Sequence, residues 1–237
     1  PGTAYRKDPL GPAFNLNLVW AQRRLQVSAA VADERGEVRM VPIAFEDAST
    51  PRKPRKGSEP EMIQAYKEQM KQRNLNAVAA GTLEDLQQQR CRDNGGITPP
   101  LHLLVDGSYT NKATLRNLPE NTTLIGRIRK DAKLSAKPEI RKLRGRTRFY
   151  GEDLPTPEQL RQDPDIPWTK VSVRASGKTR DFDVKMIAPV RWRAAGEMDL
   201  SVVVIRPKGF RPRKGARKSY TQPAYLICTD PTMPIED

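Results

Sequence analysis

Histidine and cysteine are almost missing from this chain. His102 is its single histidine, and its two cysteines, Cys91 and Cys228, stand far apart without a C-x-x-C pair. A Cys/His zinc site therefore has too few ligands, and a Ser-His-Asp or Cys-His hydrolase would have to use His102 as its base. The thiols read as small reduced hydrophobes of a cytoplasmic protein. Long apolar runs are missing too: none extends beyond residues 200 to 205, far short of the roughly 20 residues a spanning helix needs. Pro1 opens no charged-then-apolar leader, so neither a membrane span nor a secretory signal is expected. The first residue is not Met, which predicts an excised piece of a longer chain. The 237 residues suit one domain with an insert, or two small domains.

Positive charge, by contrast, is abundant and uneven. Against 28 Asp and Glu stand 42 Lys and Arg, a net charge of +14. Residues 126 to 148 hold ten Lys/Arg against two acids, residues 206 to 218 hold seven against none, and residues 52 to 56 hold four against none. Half of all the Lys and Arg thus fall in three short segments, and the remainder of the chain is slightly acidic. Focused cations on an ordinary globular body are the footprint of a polyanion partner, nucleic acid above all. Merely solvated basic loops, or loops touching phospholipid, are the alternatives; no amphipathic basic helix is apparent to favour the membrane.

The local patterns predict a mixed α/β chain. Residues 14 to 32 are rich in strand formers and reach a turn at Asp33-Glu34-Arg35-Gly36, after which residues 38 to 45 form a hairpin partner. The prolines of Thr50-Pro51-Arg52-Lys53-Pro54-Arg55-Lys56-Gly57 make this segment an exposed basic loop. Ser58 with Glu61 reads as a capping box opening a helix to about Arg73, with Met62, Ile63, Tyr66 and Met70 on one face. A second helix is predicted over 82 to 92, stopped by Asn94-Gly95-Gly96. Residues 101 to 106 (LHLLVD) have the pattern of a buried central strand ending in a carboxylate. A short helix over 111 to 118 and a strand over 122 to 128 follow. Strands are then predicted at 146 to 150, 168 to 175, 182 to 193, 200 to 206 and 224 to 229, with one helix at 157 to 161 capped by Thr156 and Gln159. The order reads as a mixed α/β core interrupted by a largely β insert.

Chemistry must then come from carboxylates, and Asp106 leads. A carboxylate at the carboxyl end of a strand sits where α/β sheets place ligands, and Gly107 leaves its approach open. Asp-Gly equally well starts a simple turn. Metal-assisted phosphoryl transfer needs several carboxylates holding ions about 3.5 to 4 Å apart.

The surrounding residues carry a resemblance. Val105-Asp106-Gly107-Ser108-Tyr109-Thr110-Asn111, followed by Thr123-Leu124-Ile125-Gly126-Arg127-Ile128-Arg129-Lys130-Asp131-Ala132, resembles bacterial insertion-sequence transposases of the DDE type. Arg6-Lys7-Asp8-Pro9, Trp20-Ala21-Gln22-Arg23, Pro51 to Lys56, Gly151 with Pro155-Thr156-Pro157, Val190-Arg191-Trp192-Arg193 and Tyr225-Leu226-Ile227-Cys228-Thr229-Asp230 extend it over nearly the whole chain. The resemblance implies an RNase H-like mixed sheet with helices, interrupted by a β-rich insertion subdomain. Residues 1–132 would then be the core lacking its first catalytic strand, 133–222 the insert, and 223–237 a return strand ending before the helix of the catalytic Glu. It also implies that Asp106 is the second Asp of the triad and a ligand of Mg²⁺ or Mn²⁺. The first Asp and the Glu are expected outside this chain. Asp8, before Pro9 in a polar stretch, and Asp230, Glu236 and Asp237, interrupted by Pro231 and Pro234, are poor substitutes.

The remaining candidates carry two readings each. His102 shares a face with Asp106 by strand alternation, yet a lone histidine is more often packed or solvated than a ligand. Trp20, Trp168 and Trp192 could stack on flipped bases; Trp20 reads as core, whereas Trp192 between Arg191 and Arg193 is the expected DNA-facing aromatic. Arg52, Lys53, Arg55, Lys56, Arg127, Arg129, Lys130 and Lys133 are candidate phosphate contacts, although Lys and Arg also serve simply to protect an edge strand. Asp131 reads as a surface carboxylate beside Lys130 and Lys133. Two function classes follow. One is a transposase core acting on double-stranded DNA at element ends and target, a homodimer on DNA in the full protein, cytoplasmic and nucleoid-associated; this fragment alone would be inactive. The other is a non-catalytic nucleic-acid-binding protein, a decayed or repurposed transposase.

Overall fold

A computed structural model describes residues 3–7, 17–34, 36–138, 148–175, 178–213 and 215–235. The chain forms two compact units, Pro1–Gln89 and Arg90–Asp237.

In the first unit, strand β1 (Ala4–Lys7) pairs antiparallel with β2 (Leu18–Ala21), and the rings of Tyr5 and Trp20 meet edge to face, 4.9 Å between centroids. Trp20 is 62% exposed, so the expected core role for it is not met: it lies on a ribbon of two strands only, among the described residues. The predicted single strand over 14 to 32 is divided, because the chain changes partner at Gln22-Arg23; its residues 14 to 16, like Asp8 and Pro9, lie outside the described ones. From β3 (Arg24–Ala32) onward it pairs with β4 (Val38–Asp47) as the expected hairpin. The register shifts between Val27 and Ser28, where the partner strand carries Pro42. A proline donates no ladder hydrogen bond, so a bulge there is the natural accommodation. Arg23 closes the hairpin's open end, its Nε donating to the Ala48 carbonyl at 2.7 Å.

Helix α1 (Pro60–Gln72) begins without the expected capping box. Ser58 turns back, its hydroxyl donating to the Arg55 carbonyl at 2.9 Å, and Glu59 precedes Pro60, whose fixed φ opens the first turn. No residue of α1 is buried, so the Met62, Ile63 and Met70 face is open. Helix α2 (Leu75–Asp93) starts earlier than predicted, with Thr82 in its interior bonding back to the Val78 carbonyl. Gly95 and Gly96, both at positive φ, stop it as expected.

The second unit is built on one mixed sheet. Its elements are β5 (Leu101–Val105), α3 (Lys112–Leu115), β6 (Thr122–Arg127), β7 (Leu134–Ser135), β8 (Asp153–Leu154), α4 (Pro157–Gln162), β9 (Thr169–Ala175), β10 (Lys178–Trp192), β11 (Leu200–Ile205), β12 (Gly209–Phe210), β13 (Ser219–Tyr220) and β14 (Ala224–Cys228). The sheet runs β5-β6-β14-β11-β10-β7-β8, with β9 also on β10. β5 and β6 are parallel, from Leu101 opposite Thr122 to Val105 opposite Gly126, and every other pair is antiparallel. The coarse expectation of a mixed α/β fold is thus met.

β5 is not the buried central strand that its apolar run suggested. Among the described residues it pairs on one side only, so its residues alternate: Leu101, Leu103 and Val105 are half-buried, while Leu104 is 68% exposed. The core lies further along, where Leu115, Leu124, Leu134, Leu160, Val190, Leu200, Val202, Val204 and Ile227 pack together. β10 and β11, assigned by the resemblance to an insert, are therefore hydrogen bonded into the same sheet as β14 and share its core. Of the predicted strand at 146 to 150, residues 148 to 150 are irregular and the rest lie outside the described residues.

Helix α4 is pinned at both ends. Thr156 and Gln159 form the predicted capping box. At the other end Lys185, 2% exposed, donates to the carbonyls of Leu160, Arg161 and Asp163, and its ammonium lies 4.7 Å from the centre of the Trp168 ring. A cation is favoured at a helix C-terminus. Between these ends Glu158 accepts from Arg161 and Tyr225, which brings its carboxyl down to about 2, while burial, and after it the bond to Glu158, pushes the Tyr225 hydroxyl up to about 12.

One close approach positions the turn after β5. A Cβ at Gly126 would collide with Thr110 Oγ1 and come within 2.7 Å of Val105 Cγ2. Gly126→Ala is therefore expected to destabilise the second unit by about 1–3 kcal/mol, read as a lowered denaturation midpoint. An unchanged midpoint would show that Thr110 moves aside without cost.

Candidate active site

Asp106 immediately follows β5 and is exposed. Its Oδ1 accepts three bonds: from the Ser108 hydroxyl at 2.5 Å, the Ser108 amide at 2.9 Å and the Tyr109 amide at 3.4 Å. Its carbonyl accepts from the Thr110 hydroxyl at 2.9 Å. Asn111 then caps α3, its Oδ1 accepting from the amides of Ala113 and Thr114. The Asp-Gly turn reading is thus realised, and Oδ2 is left without a hydrogen bond among the described residues. The Ser108 hydroxyl above all, helped by the Ser108 and Tyr109 amides, holds the carboxyl below the ordinary aspartate range against the opposing effect of burial, which outweighs either amide alone. No cation contributes to that shift.

The nearest basic neighbour on β6 is Arg127, whose backbone oxygen and Cβ would lie 3.8 Å from a Cβ at Gly107. Arg127, Lys130 and Lys133 are exposed and make no ion pair with a described carboxylate. Arg129 differs: its guanidinium clasps Asp131 through two bonds of 2.9 and 2.8 Å. Asp131 is thus a surface carboxylate, as expected, with Arg129 as its principal partner and Lys130 a minor one.

The cluster at 191 to 193 does not present itself as read. The Arg191 side chain is 12% exposed, donating to Asp199 at 2.9 Å and to the Phe149 carbonyl at 2.8 Å. Trp192 packs against the core in place of facing a ligand, because the end of β10 pairs with β7 and turns that side chain inward. Only Arg193 of the three is exposed. Trp168 is likewise half-buried, with Lys185 and Arg206 against its ring. Arg52, Lys53, Arg55 and Lys56 are all exposed on an irregular loop of the first unit.

His102 is exposed on β5, the strand that Asp106 follows, and makes only the last of the contributions that lower the Asp230 carboxyl, after the Thr232 bonds and the Met233 amide. Asp230 is engaged in its own turn, accepting from the Thr232 hydroxyl and amide at 2.6 and 2.8 Å. Glu236 and Asp237 lie outside the described residues. No three His, Cys, Asp or Glu side chains come together as a metal site among the described residues. Cys228 is buried and its thiol is pushed up by burial, and Cys91 is half-buried; both are free. No helix among the described residues is long and apolar enough to cross a membrane. Comparisons with protein-family models, with curated proteins and with solved structures return no match to this chain.

The pKa of Asp106 is open to test. Ser108→Ala is expected to raise it towards the ordinary value, followed by carbon NMR of the carboxyl during acid titration. The folded pKa is depressed, so this carboxylate's contribution to stability is present above the unfolded value of about 4 and lost as pH falls through the folded value. Ser108→Ala should therefore show a shallower loss of stability below about pH 4. An unmoved titration would mean that the backbone amides alone set the shift.

Proposed function

We propose that this chain is a catalytic-core segment of a DDE-type DNA transposase, the full protein carrying out Mg²⁺-dependent DNA strand cleavage and strand transfer on an RNase H-like core. The observation that carries this reading is Asp106: an ionised carboxylate at the carboxyl end of a parallel strand, one oxygen locked by its turn and the other unengaged, with Arg127 against the adjacent Gly107. A hard oxygen of this kind suits Mg²⁺ or Mn²⁺. The described residues supply one such ligand and no complete site, so the remaining carboxylates belong, on this reading, to other parts of the full protein. When bound, the ions activate the attacking oxygen and stabilise the leaving one.

The chain's own contribution is to orient that carboxylate and to hold DNA. Arg127, Lys130, Lys133, Arg193 and the loop Arg52, Lys53, Arg55 and Lys56 are exposed cations available to phosphates. Arg129, shared with Asp131, is weaker in this role, and Arg191 is taken up by Asp199. Phosphate contacts of this sort fix register without reading sequence. If roughly 6 to 10 phosphates are met, duplex affinity should fall by about 10³ to 10⁵ between about 50 and 200 mM salt. A titration flat in salt would remove the electrostatic basis of the reading.

A second reading, a DNA-binding protein without catalysis, is favoured by the way the Asp106 turn is self-sufficient: Ser108, Tyr109 and Thr110 satisfy it with no ion. The two separate in the parent protein. Asp106→Asn keeps the side chain's size and removes the charge a hard cation requires, so Mg²⁺-dependent cleavage of an element-end substrate should collapse while DNA binding and melting persist. Asp131→Asn should keep most activity. Near wild-type cleavage by Asp106→Asn would overturn the assignment. The isolated 237-residue chain should not nick supercoiled plasmid with Mg²⁺ or Mn²⁺, and metal-dependent nicking by a nuclease-free preparation would show that the ligands lie within it.

A further inference from the structure

The basic segment at 206 to 218 is not used by the site around Asp106, and the fold shapes it into a small ribbon. Between residues 200 and 229 there is no Asp or Glu. β12 and β13 pair with Gly209 opposite Tyr220 and Phe210 opposite Ser219. The base is closed by Thr221, whose amide donates to the Lys208 carbonyl at 2.9 Å while its hydroxyl accepts from the Lys208 amide at 2.8 Å. A turn at the far end bonds Ala216 to the Arg213 carbonyl at 3.1 Å. Lys208 reaches back to the Asp181 carbonyl, tying the ribbon to β10.

Two features set this ribbon apart from an ordinary solvated loop. Arg211, Arg213, Arg217 and Lys218 are exposed and none makes an ion pair with a described carboxylate, whereas Arg206 at the base is paired with Asp183. Two large rings are also held in water: Phe210 is 48% and Tyr220 64% exposed. By the pairing register they lie on opposite faces, one ring to each face. Lys218 shares the face of Tyr220, its ammonium 5.3 Å from the ring centre. Gly209 leaves the lane for it, since a Cβ there would collide with Lys218 Cε.

We propose that this ribbon binds single-stranded DNA, Tyr220 and Phe210 stacking on unpaired bases while Arg211, Arg213, Arg217 and Lys218 meet the phosphates. Stacking needs a free base face, which a closed duplex does not offer, and cations alone would suffice for a duplex. The proposal rests on the nucleic-acid reading of the chain but not on the role of Asp106.

The test is fluorescence anisotropy on the 237-residue chain with a labelled dT oligomer of about 15 nucleotides, within the span of known single-strand sites, and with a duplex of equal length. Phe210→Ala/Tyr220→Ala should weaken dT binding about tenfold or more and change duplex binding less than about twofold. Arg211→Gln/Arg213→Gln/Arg217→Gln should weaken dT binding, and Tyr220→Trp should retain it; retention excludes a mere folding defect. If the ring variant binds dT like wild type while duplex binding stands, the ribbon assignment is wrong and the wider reading survives. If wild type binds neither oligonucleotide, both fail. If phosphatidylserine vesicles are bound and lost in parallel with the same variants while dT is not, the ribbon is a membrane contact and the proposal is overturned.

Discussion

The placement of Asp106 depends on a residue without a side chain. Gly126 lies opposite Val105 at the last rung of the parallel β5–β6 pair, and both Val105 and the Thr110 hydroxyl occupy the volume a Cβ would take. That lets the turn from Asp106 to Thr110 fold down on β6 in place of projecting away from the sheet. β6 is in turn held from its other edge: Ile227 stands opposite Gly126, and Thr229 closes the pair beyond the ladder, accepting from the Leu124 amide and donating to the Leu124 carbonyl. The carboxylate's position is thus transmitted from the deepest part of the core, where Leu124, Val202 and Ile227 are fully buried, to an exposed strand end.

Net charge does not translate into binding residue by residue. Lys185, Arg161, Arg191 and Arg129 are all committed internally, to helix carbonyls, Glu158, Asp199 and Asp131 respectively. Lys185 caps a helix from inside the sheet, where a cation unsupported by carbonyls would carry a heavy desolvation penalty. Among the exposed cations left over are those of the loop at 52 to 56, Arg127 at the end of β6 with Lys130 and Lys133 after it, and those along the ribbon after β11. Loops and strand ends are where a rigid sheet can present flexible cations to a ligand without sacrificing core packing.

Much of this was legible because it is local. The Thr156–Gln159 capping box, the β3–β4 hairpin, β11 and β14 each follow from a few adjacent residues. So did the position of Asp106 after a strand and the turn chemistry of Asp-Gly-Ser. What escaped depended on distant partners. LHLLV reads as a continuous apolar run, and only the one-sided pairing of β5 turns it into an alternating edge strand. Arg191-Trp192-Arg193 reads as a basic aromatic knuckle until Asp199 and β7 claim its first two members. Ser58 with Glu61 satisfied the spacing of a cap, yet Pro60 started the helix one residue later and freed Ser58 to bond back. The division of labour between the two oxygens of Asp106 has no signal in sequence, since Oδ1 is selected by the orientation of the turn.

That division bears on the proposed chemistry. On the proposed reading, an ionised carboxylate next to cations that meet phosphates is a liability, since it repels the ligand its neighbours attract. Ser108 deepens this, for its hydroxyl keeps Asp106 charged without adding a compensating cation. Arg127 lies against the neighbouring Gly107 but contributes nothing to the Asp106 carboxyl. A turn that only needed an acceptor for Ser108 would be served by Asn, which is neutral and as common in such turns. The retained negative charge, held ionised by hydrogen bonds and turned partly away from them, is coherent when a cation joins it to phosphate, and on the transposase reading that cation is the divalent ion. The same logic separates Asp106 from Asp131: the latter's charge is answered by Arg129, whereas no described cation pairs with Asp106, and on the transposase reading its counterpart is the divalent ion.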